Sequence, residues 1–115
     1  MEINSKINND SLVIKPNVQR IDSSISTEFK SKVFDLLDKQ YKFILLDISE
    51  IDFIDSSGLG ALISILKSVT SQNATLAICG AQSKIINLFK LTRMDKVFTL
   101  FENVEEAEKF FLVKE

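Results

Sequence analysis

The chain has 115 residues, about one domain's worth, and its 45% hydrophobic and 26% charged residues are an ordinary globular composition that argues against disorder. Fourteen Lys and Arg against sixteen Asp and Glu leave a formal charge of −2, with no basic block to track a phosphate backbone, so nucleic acid is not an expected partner. The absence of histidine and the single cysteine exclude a Ser-His-Asp triad and a zinc-type cluster within the chain, and no metal or other cofactor is expected.

The opening "MEINSKINND" lacks the basic and apolar regions of a signal peptide. The longest apolar run, Gly58 to Leu66, is far short of the ~20 residues that span a bilayer, so the expectation is a cytoplasmic protein without membrane insertion. "EINSKIN" and "SLVIKP" read as short strands joined by the turn Asn8-Asn9-Asp10, with Pro16 restricting the second to a sheet edge or a bulge. Ile25, Phe29, Val33, Leu36 and Leu37 follow helical spacing, which predicts a helix to about Lys39 with Ser23, Ser24 and Ser26 as candidate N-caps. "FILLDI", Phe43 to Ile48, is a continuous apolar run of strand length, as suits a central strand covered by helices.

Beyond the short connector "SEIDF", Leu59, Leu62, Ile63, Leu66 and Val69 describe the apolar stripe of a helix that ends near Ser71-Gln72-Asn73. "ATLAICG" is a second inner strand, carrying Cys79 as a buried and inert thiol. "SKIINLFKLT" predicts a short helix capped by Ser83 and packed through Ile85, Ile86 and Phe89, and "KVFTLF" a third strand. A last helix starts at the capping residue Asn103, places Glu105 and Glu106 in its first turn and turns Val104, Ala107, Phe110 and Phe111 inward. Strands that alternate with helices require right-handed crossovers. The fold class is therefore α/β, a mixed and mostly parallel sheet with an N-terminal hairpin and about four helices.

The segment Asp55-Ser56-Ser57-Gly58 lies on the carboxyl side of the central strand and feeds a helix N-terminus, where ligands and partners of α/β sheets commonly bind. One reading makes Ser56 or Ser57 a plain N-cap with Asp55 serving the helix dipole, and the other gives the hydroxyls chemistry. Neither phosphate-binding glycine pattern is present, "DSSGLG" is not a Gly-x-Ser-x-Gly elbow, and no histidine exists to activate a serine, so no enzyme is expected. Gly58 and Gly60 have no side chain, which allows another protein's backbone to come close.

The stretch Phe53-Ile54-Asp55-Ser56-Ser57-Gly58-Leu59-Gly60 resembles the signature of the STAS domain family, specifically the bacterial anti-sigma factor antagonists. Ser83 to Phe98 is similar to that family's short third helix and the strand after it, and Ile21-Asp22 matches a third element. Antagonists usually carry a glycine and an acidic residue before the Ile-Asp pair, where this chain has Gln19-Arg20, with Pro16 and Asn17 just upstream. The resemblance covers essentially the whole chain and implies one STAS-like domain over 1–115 that catalyses nothing.

It also implies that Ser56, directly after the motif aspartate, is phosphorylated by the anti-sigma factor itself, an ATP-dependent serine kinase, and dephosphorylated by a PP2C-type phosphatase. On this analogy the unphosphorylated form binds the anti-sigma factor and frees the sigma factor, through Asp22, Ser23, Asp55, Ser56, Ser57, Gly58, Leu59 and Gly60. The alternative that the resemblance allows is a structural STAS subunit of a lipid transporter or signalling scaffold. Physics is consistent with a switch at Ser56: a helix N-terminus accommodates phosphate, whereas a docked interface already holding Asp52 and Asp55 resists more negative charge.

Overall fold

In a computed structural model, which describes every residue except Asn9, Lys39 and Glu115, the chain opens with β1 (Ile3–Asn8) and β2 (Ser11–Pro16), followed by β3 (Arg20–Ile21) and α1 (Ser26–Leu36). Then come β4 (Phe43–Asp47), β5 (Phe53–Ile54), α2 (Ser56–Ser71) and β6 (Thr75–Cys79). The chain continues through α3 (Ser83–Leu91), a 3-10 turn (Met94–Lys96), β7 (Thr99–Phe101) and α4 (Val104–Lys114). Among the described residues the main sheet has the order β1-β2-β4-β6-β7, with β1 antiparallel to β2 and the other neighbours parallel. The small α/β domain with a mixed, mostly parallel sheet, an N-terminal hairpin and four helices is the expected one.

The hairpin is in register from Ile3 opposite Pro16 to Asn8 opposite Ser11; Asn9 of the expected turn lies outside the described residues. The expectation that Pro16 confines this strand to an edge or a bulge is corrected. β2 is interior, and the pairing with β1 runs on without an interruption. Proline is tolerated because it ends the strand, two residues past the Ser11 to Ile14 segment that pairs with β4.

Alternation along the strands divides the core. Leu12, Ile14, Ile44, Leu46, Leu76 and Ile78 face α1, α2 and α3, whereas Val13, Leu45, Ala77 and Cys79 face α4. On the α4 side Phe43 stacks on Phe111 at 4.7 Å between ring centres, and Phe101 lies 5.2 Å from Phe110. Burial, with Asp47 nearby, pushes the Cys79 thiol up to about 12, so it is protonated and inert as expected. On α2 the buried stripe is Gly58, Ala61, Leu62, Ile65 and Val69, and the expected Leu59, Ile63 and Leu66 are half-buried at its margin. Gly58 belongs to this stripe because the start of α2 passes close to β3 and β5, where a Cβ would meet Ile21 and Ile54.

Three helix boundaries differ from expectation. No serine side chain caps α1; the Asp22 carbonyl accepts the N–H groups of Ile25 and Ser26 at 3.1 and 2.9 Å. The helix stops at Leu36 because Leu37 turns extended, and Lys39, the expected end, lies outside the described residues. Ser83 is the first helical residue of α3 and not its cap; the Gln82 carbonyl accepts from Ile85 and Ile86 at 2.9 Å each, and Ile86 is only half-buried. Of "KVFTLF" only Thr99–Phe101 is strand, since Lys96 closes a 3-10 turn. Asn103 does cap α4, its Oδ1 accepting from the Glu106 N–H at 2.9 Å.

Candidate functional site

β3 and β5, which have no counterpart among the expected strands, form a separate two-stranded parallel sheet with Arg20 opposite Phe53 and Ile21 opposite Ile54. Two residues are too few for periodicity to register. A different signal was present: Ile-Asp-Ser-Ser occurs at 21–24 and again at 54–57. The two copies run side by side, bury Ile21 and Ile54, and make matching turns. In each, the serine two residues past the aspartate donates its hydroxyl to Oδ1, from Ser24 to Asp22 at 2.5 Å and from Ser57 to Asp55 at 2.6 Å.

Asp55 ties the two copies together. Its Oδ1 also accepts the Gly58 N–H at 3.0 Å, which caps α2, and its Oδ2 accepts the Ser23 N–H at 3.1 Å from the other copy. Its own N–H donates to the Ile21 carbonyl at 3.3 Å, and its carbonyl receives the Leu59 N–H at 2.9 Å. The Ser57 hydroxyl first, then the Gly58 N–H, hold the Asp55 carboxyl below the usual aspartate value of 3.8. Asp22 is likewise lowered, chiefly by the Ser24 hydroxyl and N–H, with a smaller contribution from Arg20. Both aspartates are thus carboxylates at neutral pH.

The structure therefore brings Ser23, Asp55, Ser57 and Gly58 into one hydrogen-bonded unit, with Asp22 adjacent in the chain and bonded to Ser24 and Arg20 instead. Ser56 begins α2 at its edge, exposed, and its hydroxyl makes no hydrogen bond to any described residue. The plain-cap reading consequently applies to Asp55, which caps α2, and not to either serine. Ser57 is committed to Asp55, and Ser56 is left over.

The two glycines play different parts. Gly58 is buried, and a Cβ there would run into the Ile21 carbonyl and lie 2.8 Å from Ile54 Cγ2. Its missing side chain lets β3 approach α2 inside the chain, not another protein from outside. Gly60 is exposed, with nothing within 4 Å of the Cβ position, and Leu59 beside it is half-buried. Among the described residues no group of His, Cys, Asp and Glu could hold a metal ion, and no helix is long and apolar enough to cross a membrane.

Sequence reasoning also missed the pair at the head of the small sheet. The Arg20 guanidinium lies over the Phe53 ring at 4.0 Å from its centre, and Arg20 Nε donates to Asp22 Oδ2 at 3.4 Å.

Comparison with known proteins sets this geometry in context. The family model described as STAS domain matches residues 2–107. A Thermotoga maritima protein, named as a candidate anti-sigma factor antagonist, is 32% identical over 103 residues, which are 89% of this chain and 90% of that protein. A crystal structure of a candidate anti-sigma factor antagonist from the same organism superposes with a TM-score of 0.84 at 30% identity, covering 93% of this chain and 92% of the other. An anti-sigma factor antagonist from Mycobacterium paratuberculosis shares the fold, with a TM-score of 0.80 at 16% identity over 94% and 91% of the two chains.

Proposed function

From the premise that the chain belongs to the STAS domain family, we propose that it is an anti-sigma factor antagonist: a binding protein, not an enzyme, that captures an anti-sigma factor and so frees a sigma factor. The names of its Thermotoga relatives support the antagonist role. The switch that controls it is phosphorylation of Ser56. The observation that carries this part is the exposed Ser56 hydroxyl, free of hydrogen bonds among the described residues, at the start of α2 and beside the fixed Asp55 carboxylate.

The chemistry of the switch follows from that position. A phosphate on Ser56 brings about −1.5 to −2 charge to the positive end of a helix, which tolerates it within the free chain. The same group pressed against a docked partner adds to the Asp22 and Asp55 carboxylates, and desolvated like charges cost several kcal/mol. Since each 1.4 kcal/mol is about tenfold in affinity, loss of binding by roughly a hundredfold or more is the expected result. The partner is the anti-sigma factor acting as an ATP-dependent serine kinase, and a PP2C-type phosphatase restores the binding form in the cytoplasm. Domain limits of 1–115 belong to the same proposal.

The test is incubation with each anti-sigma factor kinase encoded in the same genome, with ATP, followed by gel filtration. One kinase should comigrate with the chain before phosphate transfer and separate from it afterwards. A complex that forms with none of them, or that survives complete phosphorylation, contradicts the proposal.

A further inference from the structure

The geometry points to Arg20 as the residue that selects the partner: its guanidinium is pre-oriented to receive one carboxylate side chain of the anti-sigma factor kinase. This inference rests on the partner reading given above. Three observations carry it.

The first is that the guanidinium is fixed. Its central carbon lies over the Phe53 ring, 4.0 Å from the ring centre, and its Nε is drawn to Asp22 Oδ2 at 3.4 Å. Phe53 is opposite Arg20 in the parallel register of β3 and β5, so the ring that supports the cation is itself held by backbone pairing. Stacking on an aromatic ring with Nε restrained leaves few of the rotamers that an exposed arginine otherwise loses on binding, and such pre-organisation favours affinity.

The second is what remains unused. Only Nε is engaged, and the terminal Nη1 and Nη2 edge makes no hydrogen bond or ion pair with any described residue. That edge can match a carboxylate with two parallel hydrogen bonds even while Nε stays with Asp22. The Arg20 side chain is 57% exposed and Phe53 38% exposed, so both are accessible to a partner beside the Asp55 turn. Aromatic residues and arginine are the types that dominate interface energies once desolvated.

The third is the charge pattern. Arg20 is the one cation beside Asp22, Asp52 and Asp55 on the two segments that meet here. A partner whose surface complements the aspartates with cations meets Arg20 as an exception, and a carboxylate placed opposite it fixes the register of docking. A kinase with a cation at that place is excluded by the same residue, which is discrimination by repulsion.

The experiment uses the full chain and the kinase that binds it, with calorimetric titration of wild type, Arg20→Gln, Arg20→Lys, Arg20→Glu and Phe53→Leu, and Ser56→Asp as the control for the switch. Arg20→Gln should weaken binding by about ten- to a hundredfold, the range of a hydrogen bond to a charged group, with Arg20→Lys in between and Phe53→Leu weakening it less. Arg20→Glu should abolish measurable binding and regain it with one carboxylate-to-lysine change on the kinase. If Ser56→Asp weakens binding but Arg20→Gln binds as wild type, or no kinase carboxylate rescues Arg20→Glu, this inference is wrong while the partner reading stands. If wild type binds no kinase, both fall. Tighter retention of the phosphorylated chain by Arg20→Gln would assign the guanidinium to the Ser56 phosphate instead and overturn the inference.

Discussion

The Ser57 hydroxyl donates to Asp55 Oδ1 at 2.6 Å, so of two adjacent serines at the start of α2 only Ser57 is tied down. The Ser57 hydroxyl must turn away from Asp55 before it can offer its proton to the base of a docked kinase, whereas Ser56 has no such bond among the described residues. Phosphate should therefore appear on Ser56. Fragment mass spectrometry after treatment with the cognate kinase reads the position, and phosphate on Ser57 alone, or on Ser23 in the parallel Ile-Asp-Ser-Ser copy, contradicts the assignment.

Removing that hydroxyl should be visible at its acceptor. The Asp55 carboxyl lies below 3.8 chiefly because of the Ser57 hydroxyl, so Ser57→Ala should move its midpoint up towards 3.8 while the Gly58 N–H keeps part of the shift. The sign for stability follows. A carboxyl with a depressed folded pKa stabilises the fold at pH values above 3.8, and that contribution is lost as pH falls through the folded value. Ser57→Ala should lose less stability over that acid range than wild type. Carbon-detected NMR titration of the aspartates is the measurement, and an unmoved Asp55 midpoint speaks against the bond.

The glycines offer a paired comparison. Gly58→Ala drives a methyl group into the Ile21 carbonyl and to 2.8 Å from Ile54 Cγ2, so backbone must shift, at a cost of about 1–3 kcal/mol. Gly60→Ala meets nothing within 4 Å and gains the helix preference of alanine, roughly 0.5–1 kcal/mol. Urea denaturation should move the two midpoints in opposite directions. Equal shifts would mean that β3 does not press on α2 as described.

How much of this was legible in the sequence depends on length of signal. "FILLDI" and "ATLAICG" are apolar runs of strand length that suit inner strands, and β4 and β6 lie side by side inside the sheet. On α2 the expected Leu62 and Val69 are buried, but Gly58, Ala61 and Ile65 are buried where Leu59, Ile63 and Leu66 were expected, since a reading by large apolar residues passes over a glycine and an alanine. Pro16 misled because a proline's meaning in a strand depends on which residues pair, and pairing is not local. At the site, the motif pointed to Asp22, Ser23 and Asp55, whose hydrogen bonds the structure describes. Phe53 opens that motif and Arg20 departs from it, but their contact was not legible, since only the parallel register of two distant dipeptides sets one over the other.

The central claim is that charge at Ser56 turns off a protein contact. Its most direct measurement is calorimetric titration of the cognate anti-sigma factor kinase with unphosphorylated chain, Ser56→Ala and Ser56→Asp, with amide spectra recorded for each form. Wild type and Ser56→Ala should bind alike, Ser56→Asp should bind much more weakly, and the spectra should differ only around Asp55 and the Asp22 turn. Equal affinity for all three, or a Ser56→Asp spectrum altered throughout Phe43–Asp47 and Thr75–Cys79, would contradict a switch that acts at the surface.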